Sequence, residues 1–225
     1  MLLEIIALDA LDARNAAEGG ADRVELVSDM AAGGLSPDPR TVAAVRAATA
    51  LPVRVMLRTA PGFAADLAAL LRVARDLRAA GAAEFVLGFL DAAGGVDRAA
   101  LDALLPALDG APWTFHRAID HAADRTAAWR ALAGRPGLDA VLTAGSPDGI
   151  GAGLDVLAAE ATAYGHRILA GGGLREDHLG RLVAAGITAL HSGSAARPGG
   201  AWTAPVDPSR VRRLRTLFAA AANET

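Results

Sequence analysis

The sequence lacks two chemically important residue types, cysteine and lysine. None of its 225 residues is cysteine, and all 22 basic residues are arginine. Without cysteine the chain has no thiolate nucleophile, no disulfide and no thiolate metal site. Without lysine it has no Schiff-base chemistry and no phosphate loop of the Walker A type. These absences exclude whole classes of enzyme mechanism, whatever bias in composition produced them.

Long hydrophobic runs and an excess of positive charge are also missing. The formal net charge is −3 and the pI is near 5.9, so no broad basic surface is available to hold a nucleic-acid backbone. No apolar run approaches the ~18 residues that a membrane span needs. The first ten residues carry Glu4 and Asp9 and lack a basic leader. We therefore expect a soluble cytoplasmic protein that binds neither nucleic acid nor membrane.

Eight short apolar runs alternate with longer stretches rich in alanine, leucine and arginine. This is the pattern of parallel strands joined by crossover helices. The starts of successive runs are 21 to 32 residues apart, which suits one strand and one helix each. The predicted strands begin at Leu2, Arg23, Pro52, Glu84, Pro112, Leu138, Arg167 and Thr188.

Eight such units predict a single (β/α)₈ barrel of the TIM type over residues 1–225. A doubly wound open sheet is the alternative fold. It is disfavoured because the first strand runs into ALDALDARNA without a glycine-rich turn, so the dinucleotide fingerprint is missing. The glycines of GIGAGL at Gly149 have the wrong spacing for that fingerprint and are interpreted as the start of a helix.

The segment TFHRAID, from Thr114 to Asp120, is the most suggestive stretch. It begins as an apolar strand and presents His116, Arg117 and Asp120 within five positions. Such groups are costly to bury without partners, so the segment indicates either a site or a salt-bridged loop. An unperturbed histidine titrates near about pH 6.5, which makes His116 the candidate general acid or base, with Asp120 as a second catalytic candidate. In a regular strand His116 and Arg117 face opposite sides, and we expect His116 to face the lumen.

Functional groups of such barrels lie at the carboxyl ends of the strands. Glu25, in the second strand, is flanked by apolar residues and needs a partner, which Arg58 or Arg117 would supply. It is interpreted as a catalytic carboxylate or as one half of a structural ion pair. Polar residues at the ends of other strands are candidates for ligand binding: Ser28, Arg58, Arg117 and Thr143.

The loops after the seventh and eighth strands form a further candidate site. Many barrels bind phosphate there, through backbone N–H groups of glycine-rich turns and an adjacent helix N-terminus. The alternative is that the glycines only permit a tight turn. We predict a small anionic or phosphorylated ligand, bound by Gly171, Gly172, Gly173, His191 and Ser192.

A metal site is chemically possible but lacks a motif. Nitrogen and oxygen ligands suit Zn²⁺ or Mn²⁺, and the side chains that could provide them are Glu25, His116, Asp120 and His191. No short ligand spacing supports such a site, so no metal ligand is assigned and the cofactor is left open. Three histidines fall on predicted loops or helix surfaces and are assigned no function: His121, His166 and His178.

The order of these segments resembles the CutC family of copper homeostasis proteins. The resemblance runs from the first strand to the eighth, and TFHRA with a following aspartate is its most specific element. It implies a (β/α)₈ barrel, a copper-related role and an oligomer, for which we expect a homodimer. Matching segments include EGGADRVEL at Glu18, VMLR at Val55, LAGGGL at Leu169 and LHSGSA at Leu190.

The chain departs from this family in its missing cysteines. Members often carry cysteine where this sequence has Ala7 and Val27. Cu(I) prefers thiolates and thioethers, of which only Met1, Met30 and Met56 are present. Three functions therefore stay open. The first is an enzyme-like barrel for an anionic metabolite, with isomerase, epimerase, lyase or hydrolase chemistry; the others are a non-catalytic copper factor with histidine and methionine ligands, and an interaction scaffold.

Overall fold

The computed structural model describes residues 1–223 and is built on a closed barrel of eight parallel strands. Each strand pairs with the next, and the last pairs with the first, which places Glu4 opposite His191. This closure confirms the predicted (β/α)₈ barrel and rules out the open sheet. The strands are β1 (Leu2–Ala7), β2 (Arg23–Leu26), β3 (Val53–Met56), β4 (Glu84–Leu87), β5 (Trp113–Phe115), β6 (Leu138–Thr143), β7 (Ile168–Ala170) and β8 (Ala189–Ser192).

Over residues 1–223, eight α-helices alternate with the strands. They are α1 (Ala10–Glu18), α2 (Pro39–Ala48), α3 (Leu67–Ala79), α4 (Arg98–Leu104), α5 (Arg125–Leu132), α6 (Ile150–Tyr164), α7 (Leu179–Ala184) and α8 (Pro208–Asn223). The N-termini of five of them are capped by aspartate side chains, which accept hydrogen bonds from backbone N–H groups of the first turn. These caps are Asp9, Asp38, Asp66, Asp97 and Asp124.

The helices lay their apolar faces on the outside of the barrel. Helix α3, for example, buries Leu70, Ala74 and Leu77 at spacings of three and four residues. Helix α6 begins after Gly149, as predicted, and comes so close to β6 that a Cβ on Gly153 would overlap the Ala144 carbonyl. Within residues 1–223, no helix is both long enough and apolar enough to cross a membrane.

The lower lumen, towards the amino ends of the strands, carries buried arginines in ion pairs with carboxylates. Arg54 on β3 is buried, and its guanidinium reaches three neighbouring strands. Its Nε donates to Glu84 Oε2 at 3.1 Å, and its terminal nitrogens donate to Thr114 and Asp139. One arginine therefore ties β3, β4, β5 and β6 together inside the barrel.

Candidate functional site

A cavity of about 370 Å³ opens at the carboxyl ends of the strands. This volume is within the range typical of small-molecule sites. Apolar side chains from β1, β3 and β6 form much of its wall: Ile6, Met56 and Leu142. Eight of the predicted site residues line it together: Glu25, Arg58, His116, Arg117, Gly172, Gly173, His191 and Ser192.

Asp120 lies outside this cavity, although it was predicted to be catalytic. Its side chain has no exposed area. Its Oδ2 accepts hydrogen bonds from Arg117 Nε at 2.8 Å and from the Ala144 N–H at 2.9 Å. Its Oδ1 receives Thr143 Oγ1 at 2.5 Å and Arg125 Nη1 at 2.9 Å. Both oxygens are therefore occupied. Asp120 and Thr143 hold the loops in place, and we assign neither a contact with a ligand.

Ser28 and Gly171, both predicted to bind ligand, also do not line the cavity. The Ser28 hydroxyl donates to the Ser36 carbonyl at 2.8 Å and so closes the loop after β2. The Gly171 N–H donates to the Thr143 carbonyl at 3.1 Å, and a Cβ on Gly171 would lie 2.8 Å from the Cβ of His191. Gly171 therefore makes room for a site residue and keeps β7 in register.

His116 is held by the turn that follows β5. Its Nδ1 accepts the Ala118 N–H at 3.2 Å, so the proton of the neutral ring resides on Nε2. This Nε2 has no hydrogen-bond partner in the described chain. Burial, reinforced by the charge of Arg58, lowers the pKa of His116 to about 3. At neutral pH His116 is therefore an uncharged hydrogen-bond donor, which differs from the acid/base role predicted from an ordinary histidine.

Arg117 lines the cavity together with His116, because the regular strand already ends at Phe115 and a 3₁₀-helix follows over Arg117–His121. Strand alternation therefore does not apply to this pair. Arg117 Nη2 donates to the carbonyls of Ser146 and Pro147 at 3.0 and 2.9 Å. A Cβ on Gly172 would lie 2.9 Å from the Arg117 guanidinium, so this arginine connects the loops after β5, β6 and β7.

Glu25 stands at the end of a row of ionisable groups inside the barrel. Arg23 Nε lies 2.5 Å from Glu4 Oε2, Glu4 Oε1 lies 2.8 Å from His191 Nδ1, and His191 Nε2 lies 3.7 Å from Glu25 Oε2. Burial acts to raise the pKa of Glu4, but Arg23 and His191 outweigh it and hold that pKa at about 2. Burial acts to lower the pKa of His191, but Glu25 and Glu4 raise it above its usual value.

Glu25 itself is the ionisable group best suited to proton transfer. Burial raises its pKa to about 7, with Glu4 adding to the effect and His191 opposing it. A carboxyl with such a pKa can accept or donate a proton near neutral pH. Its Oε1 has no hydrogen-bond partner within residues 1–223. The arginine partner predicted for Glu25 was wrong, because the basic group that faces it is His191.

Arg58 supplies a positive charge that no carboxylate within residues 1–223 neutralises. Its Nε donates to the Gly62 carbonyl at 3.1 Å and its Nη1 to the Gly33 carbonyl at 2.8 Å, while the guanidinium lies over Phe63 at 5.3 Å from the ring centre. No acidic side chain of the described residues pairs with it, and burial alone lowers its pKa. An arginine stays charged in this setting. A half-buried cation of this kind suits an anionic ligand.

The glycine loop after β7 offers backbone donors. Gly172 and Gly173 have left-handed φ values of 103° and 74°, and their N–H groups bond to no other backbone group of residues 1–223. The segments that follow β7 and β8 begin as short 3₁₀-helices, Glu176–His178 and Ser194–Ala196. The helix N-terminus predicted beside these loops is therefore short, and the free N–H groups are the main local attraction for an anion.

Several residues that line the cavity were not among the predicted site residues. His121, which was assigned no function, lines the mouth with its ring centre 4.8 Å from that of Phe63. His178, placed on a surface, is buried. In a chain with 4% aromatic residues, an aromatic side chain in a glycine- and proline-rich loop is a usable signal. Phe63, His121 and Trp202 are the aromatic and imidazole side chains among them, and Met30 and Met56, named from the sequence only as possible copper ligands, also line the cavity.

Gly88, directly after β4, is a further position that no sequence pattern singles out. A Cβ at this position would lie 2.6 Å from His116 Nδ1 and 2.8 Å from its Cε1. The ring of His116 therefore occupies the space that any other residue at position 88 would need. This close approach fixes the ring against the β4 end.

The fold and the mouth define a (β/α)₈ barrel with a small-molecule cavity at the carboxyl ends of its strands. The CutC family pattern matches residues 1–196. A CutC family protein from Klebsiella pneumoniae subsp. pneumoniae is 32% identical over 236 residues, covering 98% of this chain and 95% of the relative. One from Citrobacter koseri is 35% identical over 217 residues, covering 94% and 84%. The chain belongs to the CutC family.

Solved structures agree with this assignment. A Streptococcus agalactiae protein whose crystal structure carries the name copper homeostasis protein CutC superposes with a TM-score of 0.77 at 25% identity, covering 86% of this chain and 98% of that one. Thiamine phosphate pyrophosphorylase from Pyrococcus furiosus superposes with a TM-score of 0.61 at 17% identity, covering 98% and 96%. The second likeness shows the barrel fold alone.

Proposed function

We propose that the mouth of the barrel binds a small anionic metabolite, either a carboxylate or a phosphate ester, and that Glu25 exchanges a proton with it. The observation that carries this proposal is Arg58, a half-buried cation on the cavity wall without a carboxylate partner in the described chain. An anion that enters the cavity supplies the missing counter-charge. Arg58 and the N–H groups of Gly172 and Gly173 hold it.

Three unpartnered polar atoms on the cavity residues support the same proposal. They are Glu25 Oε1, His116 Nε2 and Ser192 Oγ, each buried and without a hydrogen bond in residues 1–223. Leaving a buried polar group without a partner costs about 1–3 kcal/mol. A polar ligand relieves that cost. Glu25 is the proton carrier and neutral His116 the hydrogen-bond donor, so isomerase, epimerase, lyase or hydrolase chemistry is compatible with the site.

The experiment that tests this proposal compares two arginine variants. Isothermal titration with glycerol 3-phosphate and with glycerol measures whether the anionic group is recognised. We expect only glycerol 3-phosphate to bind, and Arg58→Met to weaken it at least about tenfold, because one charge-assisted interaction is lost. Arg14→Met is the matched control, since Arg14 is exposed on α1, away from the cavity. Equal affinity of the two variants, or equal binding of glycerol, contradicts the proposal.

A second candidate function is a copper factor that uses thioether and imidazole ligands. It is favoured by the position of Met30 and Met56, which line the same cavity as three histidines, His116, His121 and His191. Within residues 1–223 no three histidine or acidic side chains gather at metal-binding distance, so Cu(I) would depend on the two sulfurs. The S. agalactiae relative carries the copper homeostasis name.

A competition titration with Cu(I) separates this candidate from the first. If the chain carries copper, the wild type takes up Cu(I) and the double variant Met30→Leu/Met56→Leu loses that uptake. The control is Val156→Leu on the exposed face of α6, away from the cavity. Absence of uptake by the wild type excludes direct copper binding.

A further inference from the structure

Two of the unpartnered atoms in the mouth have complementary chemistry. Glu25 Oε1 is a carboxyl oxygen on β2, and His116 Nε2 is an imidazole nitrogen at the end of β5. Both residues line one cavity, so a small molecule in it meets a proton acceptor on one wall and a hydrogen-bond donor on another. The chemistry of this pair is more specific than anion binding.

His116 is restricted to donating a hydrogen bond. Nδ1 is engaged by the Ala118 N–H, and the ring is enclosed by Gly88 and by Phe63, whose centre lies 5.7 Å away. The low pKa of about 3 keeps the ring neutral, so it does not form an ion pair with Glu25. A fixed, neutral N–H is suited to an oxygen on which negative charge develops during a reaction.

Glu25 is oriented by the groups below it. Its Oε2 faces His191 Nε2 at 3.7 Å, and His191 is anchored through Nδ1 by Glu4 at 2.8 Å. Oε1 is left as the free oxygen. Since the surrounding walls include Ile6, Met56 and Leu142, a carboxylate there is weakly hydrated and correspondingly basic.

We infer that the site acts on a carbon acid: the substrate carries a carbonyl beside a C–H bond, and an anionic group that Arg58 holds. This inference rests on the proposed function and names the substrate class for the same site. A neutral imidazole and a carboxylate base on the walls of one cavity give the division of roles that enolising enzymes use. An anionic group at Arg58 aligns the carbonyl with His116 and the C–H bond with Glu25.

The reaction balances without a further reactant. The Glu25 carboxylate forms an O–H bond with the proton while the C–H bond breaks. The released electron pair forms the carbon–carbon double bond of an enolate, and the carbonyl oxygen takes the negative charge and accepts the hydrogen bond from His116 Nε2. Return of the proton from Glu25 to carbon restores the carbonyl compound, as the same molecule or its epimer.

Hydrogen–deuterium exchange at carbon tests this inference directly. The protein is incubated in D₂O with dihydroxyacetone phosphate or with 2-oxobutyrate, and proton NMR follows the loss of the C–H signal beside the carbonyl. We expect exchange at least about 100-fold above the protein-free rate, since a positioned base contributes about that factor or more. Glu25→Gln should abolish it, and His116→Gln should lower it by about 100-fold or more.

Binding of glycerol 3-phosphate, which lacks a carbonyl, separates the two levels of the proposal. Glu25→Gln and Glu25→Asp should both keep that binding, and Glu25→Asp should keep part of the exchange because it retains a carboxylate. Anion binding through Arg58 without exchange of either carbonyl probe overturns the carbon-acid inference and leaves the proposed function standing. Absence of glycerol 3-phosphate binding to the wild type overturns both the carbon-acid inference and the proposed function.

The pH dependence of exchange tests His191 as a positioning residue. The charge of His191 lowers the pKa of Glu25. In His191→Gln we therefore expect the exchange rate to reach half of its maximum at a higher pH than in the wild type. A variant that only loosened the structure would lower the rate without moving this midpoint. An unchanged midpoint overturns the positioning role.

Discussion

The two ends of the barrel lumen use the same residue types in opposite ways. At the lower end, Arg54 is shared among three partners on neighbouring strands and Arg23 is paired with Glu4. At the mouth, Arg58 has no carboxylate partner in the described chain and Glu25 keeps a free oxygen. Pairing, and not residue type, therefore separates the groups that hold the barrel together from those available to a ligand.

The difference follows from the cost of burying charge. A buried ion pair is tolerated when its hydrogen bonds are complete, and removing one partner leaves an uncompensated charge. Arg54 meets the first condition, since all three of its guanidinium nitrogens donate to side chains. The mouth residues escape the cost in other ways, because Arg58 is only half buried, Glu25 has a raised pKa and His116 is neutral.

The largest effect should come from breaking a pair at the lower end. Arg23→Met leaves Glu4 buried without its arginine partner, and we expect a loss of about 3–5 kcal/mol in the free energy of unfolding. Arg58→Met at the mouth should change stability by less than about 1 kcal/mol, because it breaks no ion pair. Urea unfolding of both variants measures the contrast. Equal losses would show that the mouth is also structural.

A smaller effect should separate Glu25 from an ordinary surface carboxylate through pH. The folded pKa of Glu25, about 7, exceeds the usual glutamate pKa of 4.5, so the folded state binds more protons between these values and loses stability as pH rises through them. Glutamine at position 25 lacks this loss. Between pH 5 and pH 8 we expect the free energy of unfolding of Glu25→Gln to rise by roughly 2–3 kcal/mol relative to that of the wild type.

Urea midpoints at the two pH values measure that gain, and Glu18→Gln on the exposed end of α1 is the control. The raised pKa of His191 acts in the same direction, since its protonated form is also lost as pH rises. Parallel pH profiles for wild type and Glu25→Gln would contradict a raised pKa at Glu25.

The smallest effect concerns the space beside His116. Gly88→Ala puts a methyl group where the His116 ring lies. We expect the free energy of unfolding to fall by about 1–2 kcal/mol and ligand binding at the site to weaken. Gly180→Ala is the matched control, because the Cβ would meet nothing within 4 Å and the position lies inside α7. The free energy of unfolding of that variant should rise by up to about 1 kcal/mol, as measured by thermal unfolding. Identical behaviour of the two would show that Gly88 has no special role.

Much of the fold was predictable from the sequence, as was the convergence of several candidate residues on one cavity. Period and spacing of the apolar runs give the barrel, and the rule that strand ends meet on one face brings Glu25, Arg58 and His191 together. The partners were not predictable. Barrel closure sets Glu4 against His191, which are 187 positions apart, and no local pattern reports this contact.

The protonation state of the site was also beyond sequence reasoning. An isolated His116 suggests a group that titrates near neutral pH, but its depth in the barrel and the nearby Arg58 charge make it neutral. In the same way Asp120 follows a suggestive motif, yet Arg125 and the Ala144 N–H take its oxygens. These outcomes depend on burial and on contacts between distant segments.

The two arginines of the mouth link different sets of the loops that form its rim. Arg117 joins the loops after β5, β6 and β7, whereas Arg58 joins those after β2 and β3 through the carbonyls of Gly33 and Gly62. Each group of loops should therefore fluctuate as one block, and the widest opening should occur between blocks. An anion held by Arg58 would slow backbone amide exchange in the loops after β2 and β3 more than in the loops after β5, β6 and β7. The rim would therefore become rigid from the side of β2 and β3.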